Sequence, residues 1–180
     1  MRLPKGRISL LFGNLVGGVG LLLGFLLVAV APSTAAVSLK FLLYLVAWAC
    51  FLFFPHGLAH FLVGRIVGVR FRYYTFNKSS ISKLKLPILP GLASKLVVLT
   101  LKVDRGSFQL VSRGRRCAMF ASGALASMLL PFISAFASLG HLPIFLSEIL
   151  LAFSILNFVF DLYYSPRAGD ILRARNALQA

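Results

Sequence analysis

The stretch Phe53–Gly68, FFPHGLAHFLVGRIVG, sets two histidines four residues apart, directly after a proline and inside one of the most apolar parts of the chain. Residues four apart on a helix share a face, with Cβ atoms roughly 5–6 Å from each other, so His56 and His60 can turn both rings towards one cation. Pro55 kinks or interrupts the helix just before the pair, which a membrane helix tolerates where protein or water satisfies the freed carbonyl. Taken alone, the pair also reads as interfacial histidines bonded to backbone carbonyls or lipid headgroups. What surrounds it therefore decides its meaning.

The surroundings are those of a membrane protein. In 180 residues the hydrophobic share is 59% and the mean hydropathy is +0.90, well above the apolar share of a soluble domain. Four apolar runs reach the roughly 20 residues that a bilayer-crossing helix needs: Ile8–Ala31, Phe41–Val63, Cys117–Leu139 and Pro143–Tyr164. The expected architecture is a single integral membrane domain over residues 1–180, mainly α, with four transmembrane helices.

Only four acids stand against 19 Lys and Arg. Twelve of the basic residues lie between the second and third spans, from Arg65 to Arg116. With a cytoplasmic N-terminus, 18 of the 19 fall inside, every one but Lys40, as the positive-inside bias requires. The charge is thus a topology signal, and both termini are expected in the cytoplasm. No nucleic-acid motif accompanies it. The lipid bilayer is the expected partner, with anionic headgroups attracted at about 1 kcal/mol per basic residue. No organelle signal is visible, so a prokaryotic plasma membrane is the default location.

The leader-like start MRLPKGR followed by an apolar run ending in APSTAA is too long for the roughly 7–15-residue core of a signal peptide, and reads as an uncleaved first helix. Gly13 and Gly17, then Gly20 and Gly24, form two G-x-x-x-G spacings suited to close helix approach, although glycine is common in membrane helices anyway. Cys50 and Cys117 fall in or beside spans and suggest neither a disulfide nor a cysteine metal site.

Residues 65–116 break the pattern as a small cytoplasmic, membrane-associated β segment. VRFRYYTF (Val69–Phe76) and KLVVLTLKV (Lys95–Val103) have strand composition, and VDRGSFQLV reads as a turn at Asp104–Gly106 leading into another strand. KLPILPGLASK (Lys85–Lys95), with two prolines and a glycine, reads as an irregular or membrane-skimming loop. The third span is dense in small residues, among them Ser122, Gly123 and Ser127, which favours close packing in lipid. GHLP (Gly140–Pro143) then reverses the chain on the outer side, away from the histidine pair, and takes His141 with it.

A third ligand would strengthen a metal reading. Asp170, in SPRAGDILRAR after the fourth span, is expected on the same side as His56 and His60, and two imidazoles with one carboxylate leave zinc an open position. Asp161 competes for the role, or bonds to Asn157 four residues before it near the helix end. Glu148 falls near the outer end of that helix, too far away.

In order and side, residues from about Phe41 to Ala180 resemble the site-2 protease family of intramembrane zinc metalloproteases. HGLAH stands where that family has H-E-x-x-H, followed by a β segment, by SGALAS (Ser122–Ser127) in place of a small-residue motif, and by NFVFDLYYSPRAGD in place of the last signature. The resemblance implies zinc held by His56, His60 and Asp170. It also exposes departures: Gly57 replaces the glutamate general base, Ser127 stands at the family's asparagine, and Ile171 follows Asp170 where the family has glycine. General acid–base work contributes typically 10²–10⁴-fold, and glycine can do none. The expectation is a pseudoprotease that keeps a metal and binds a transmembrane partner. The alternatives are an active protease with a divergent base such as Asp161, or a structural subunit of a membrane complex.

Overall fold

The computed structural model describes residues 6–78 and 97–179. In chain order the elements are β1 (Arg7–Ile8), α1 (Leu10–Val30), a 3-10 turn (Ala31–Ser33), α2 (Val37–Phe53), α3 (Pro55–Ile66), β2 (Phe71–Lys78) and β3 (Val97–Val103). They continue with α4 (Arg105–Leu110), α5 (Arg113–Leu129), α6 (Pro131–Ser138), α7 (Ile144–Ala168) and α8 (Asp170–Gln179). The chain is mainly helical with one small sheet, and four helical stretches are long and apolar enough to cross a membrane: Leu10–Ser33, Val37–Ile66, Arg113–Ser138 and Ile144–Ala168.

Glycine decides how α1 packs. Its buried residues are Gly13, Gly17, Gly20 and Gly24, while most of the helix's leucines and valines are exposed. The two G-x-x-x-G spacings thus form one seam. At Gly20 a Cβ would overlap the ring of Phe54, and at Gly24 it would press on Cys50 and Phe51. This close fit supplies dispersion contact between the helices.

Prolines divide two of the long helical stretches. Pro55 takes the first position of α3 and Pro131 the first of α6, where the missing N–H is least needed. Between α2, α6 and α7 the packing is polar as well as close. Ser134, Ser138 and Ser154 are fully buried and donate to the carbonyls of Tyr44, Ala135 and Leu150 at 2.6–2.9 Å. Trp48 Nε1 donates to Ser154 Oγ at 3.0 Å, tying α2 to α7.

The sheet is antiparallel in the order β1–β2–β3. Its first strand is a two-residue piece of the N-terminus, Arg7 and Ile8 opposite Thr75 and Tyr74. That pairing puts the N-terminus and the segment between the second and third spans at one end of the molecule. The strands anticipated at Val69–Phe76 and Lys95–Val103 are present, whereas the loop anticipated at Lys85–Lys95 lies outside the described residues.

The turn-then-strand reading of Asp104–Val111 is wrong: Arg105–Leu110 is the helix α4. Asp104 caps it, accepting from Ser107 N at 3.2 Å, and a capped first turn outweighs the β-like composition of so short a segment. A further helix, α8, follows the last span and packs back against α5.

Candidate metal centre

The site lies where α3, α5 and the start of α8 meet. Because α3 begins at Pro55, His56 and His60 stand one turn apart on a face turned towards α5. Met119, Gly123 and Ser127 recur every four residues along α5 and form the opposing stripe. Gly123 lets the helices close, since a Cβ there would overlap the His60 ring.

Hydrogen bonds orient both rings. His60 Nδ1 lies 2.7 Å from the Met119 carbonyl oxygen, an acceptor only, so this nitrogen carries the proton and donates. His56 Nδ1 lies 2.8 Å from Ser127 Oγ. That hydroxyl gives its own hydrogen to the Gly123 carbonyl at 2.9 Å, so it too receives a proton from the ring. Hydrogen bonds of this kind fix the tautomer and aim the other nitrogen inward. Both Nε2 atoms accordingly face Asp170 Oδ2, at 3.1 Å for His56 and 3.3 Å for His60.

Asp170 is the first residue of α8 and is buried. Its other oxygen, Oδ1, accepts from Arg173 Nη1 at 2.9 Å, which leaves Oδ2 for the histidines. The helix start is itself pinned, Ile171 N donating to Ser165 Oγ at 3.1 Å, and a carboxylate suits the positive end of a helix. Burial would raise the Asp170 carboxyl, whereas a proton on either Nε2, donated to Oδ2, would hold it below the usual carboxylate range.

With both Nδ1 atoms protonated, neutral rings bring two nitrogen lone pairs and a carboxylate oxygen to one point. A proton on one Nε2 or a metal ion could sit among them. Protonating both rings would set two cations side by side, their centroids 4.8 Å apart, whereas one metal ion satisfies all three atoms. The group His56, His60 and Asp170 could hold such an ion, its ligand atoms all lying within 4.8 Å of one another. Tetrahedral zinc with bonds of about 2.0–2.2 Å holds its ligand atoms about 3.3 Å apart, close to the two nitrogen–oxygen distances here.

No family model, curated protein or solved structure matches this chain.

Of the two aspartates weighed from the sequence, Asp170 joins the histidines and Asp161 does not, although Asp161 lies near enough to interact electrostatically with His56 and Asp170. Asn157 donates its amide to the Ser127 carbonyl at 3.0 Å. Glu148 and His141 are outside the cluster.

Among the described residues no acid comes within 4 Å of where a Gly57 Cβ would stand. A Cβ on Gly57 would make ordinary contact with the Tyr74 ring, 3.5 Å from Cε1. The Tyr74 hydroxyl donates to Asn14 Oδ1 at 2.7 Å, and burial pushes its pKa up to about 12. The phenol therefore stays neutral and cannot accept a proton.

The sequence reading took Gly123 and Ser127 as small packing residues and did not foresee their contacts with the histidine rings, nor that of the Met119 carbonyl. Their spacing of four, matching that of the histidines, was the available signal.

Proposed function

We propose that the protein is an integral membrane protein with a site-2-protease-like core, a pseudoprotease that binds zinc through His56, His60 and Asp170 and engages a transmembrane partner. Its termini and sheet lie on the cytoplasmic side. The observation that carries this reading is the meeting of two Nε2 lone pairs and Asp170 Oδ2 at a point, beside a position 57 that offers no carboxylate. Bound there with one position open, zinc supplies Lewis acidity. Peptide hydrolysis further needs a group that takes and returns a proton, and neither Gly57 nor the neutral Tyr74 does so.

The test is metal analysis of the detergent-purified protein, followed by incubation with helical membrane substrates. The expected result is one zinc per chain, lost in His56→Ala and His60→Ala, with no cleavage. Unmutated protein without stoichiometric zinc would overturn the metal reading and leave an accessory subunit of a membrane complex.

A second reading keeps catalysis, with Asp161 as a substitute base. It rests on the partly buried position of Asp161 within electrostatic reach of His56 and Asp170. Cleavage by the unmutated protein that disappears in Asp161→Asn would favour it.

A further inference from the structure

A cleft of about 410 Å³ opens at the end of the molecule that carries the sheet, between the end of α3, the start of β2 and the helices α4 and α5. Two spans end at this level, Val37–Ile66 and Arg113–Ser138. The chain leaves α3 through Gly68 at φ +97°, a conformation that favours glycine. Val69 N donates back to the Gly64 carbonyl at 2.8 Å and closes the helix end. Beneath the cleft lie the buried Val69 and Val111.

Arg70 and Arg115 line the cleft. The backbone of Arg70 is held rigidly, its N–H donating to Ser107 Oγ at 2.9 Å and its carbonyl accepting from Asp104 N at 2.8 Å. Asp104 is the acid among the described lining residues, and its carboxylate is already engaged. One oxygen takes the Arg72 guanidinium and the other the N–H of Ser107. The arginines of the cleft therefore keep a surplus of positive charge. Leu110, 89% exposed, lines the cleft, and Ile66, 83% exposed, is the last residue of α3, directly before the lining residue Val67; they are the most exposed large apolar side chains among the described residues.

We infer that this cleft is a binding site for an anionic phospholipid, its phosphate between Arg70 and Arg115 and its acyl chains against Leu110 and Ile66. The charge complements a phosphate, and guanidinium forks suit its oxygens. The bare leucine and isoleucine distinguish a lipid from free phosphate, because neither side chain is useful to a purely ionic ligand. This inference goes beyond the metal centre and does not depend on it.

The experiment uses full-length protein in a neutral detergent, titrated with dioctanoyl phosphatidylglycerol, dioctanoyl phosphatidylcholine and inorganic phosphate, with binding read by thermophoresis. The anionic lipid is expected to bind at least about tenfold more tightly than the other two, and Arg70→Gln/Arg115→Gln to weaken it about tenfold or more. Lys102→Gln/Arg175→Gln removes the same charge from exposed positions elsewhere and is expected to leave the affinity unchanged. Leu110→Ser is expected to weaken the lipid alone. Equal losses in both double variants would overturn the site in favour of diffuse charge attraction. Phosphate binding as tightly as the lipid, with no effect of Leu110→Ser, would overturn the lipid as occupant. Unchanged thermal unfolding of each variant confirms that the exposed substitutions leave the fold intact.

Discussion

Gly123 lies against the imidazole of His60 so closely that a single methyl group on it would overlap the ring. Ring position and helix separation are therefore one variable, and the smallest substitution on α5 reaches the histidine pair.

Gly123→Ala is expected to displace His60 from the Met119 carbonyl and from Asp170, with an overpacking cost of about 1–3 kcal/mol. Thermal unfolding in detergent and zinc content measure the two effects. A variant that retains full zinc content with unchanged unfolding would show that the helices separate without disturbing the ring.

Ser127→Ala removes the acceptor of the His56 Nδ1 proton while leaving all three ligands in place. Loss of a hydrogen-bond partner of this kind typically weakens metal affinity about 10–100-fold. Competition with a chelator of known affinity measures that change, and the unfolding temperature without metal should move little.

Gly57→Glu introduces the missing carboxylate at a site where the Cβ makes only ordinary contact with Tyr74. The variant is expected to fold, keep its zinc and gain hydrolysis of helical membrane substrates, by about 10²–10⁴-fold over the parent. Zinc retention without any hydrolysis would mean that the site geometry is not that of the protease family.

The Arg72–Asp104 ion pair should give stability a weak acid dependence. Asp104 is held below the usual carboxylate range, by hydrogen bonds from Arg72 and from the Ser107 N–H and by the charges of Arg72 and Arg70. A carboxyl lowered in the folded state stabilises it above the unfolded value of about 3.9, and the effect fades as pH falls through the folded value. Asp104→Asn keeps the helix cap but not the charge. The unfolding-temperature difference between parent and variant should be constant above about pH 5 and shrink towards zero in stronger acid. A difference that does not vary with pH would place the effect in the cap.

Hydropathy alone located the four long helical stretches, because an apolar run of bilayer length has few other uses. The i, i+4 spacing of His56 and His60 was equally plain, since both belong to one helical turn. The paired glycines of α1 were visible as a pattern, but only packing against Phe51, Phe54 and Tyr74 separated a contact seam from the ordinary frequency of glycine in such helices. Arg7–Ile8 carries no strand signal, because two residues become a strand only when β2 lies beside them. The helix at Arg105–Leu110 was hidden because the β-like composition of so short a segment masked a cap at Asp104 that the sequence merely permits.

The four long apolar helices, the side chains that could bind a metal, and the lack of a carboxylate at position 57 were legible in the residues alone, since each is a property of a local run of the chain. Only the tertiary structure decided between Asp161 and Asp170. That choice depends on α8 folding back against α5, which brings a carboxylate more than a hundred positions from the histidines to within 3.3 Å of both Nε2 atoms. It also decided the roles of Gly123 and Ser127, because their contacts with the histidine rings exist only once α3 and α5 have closed on each other.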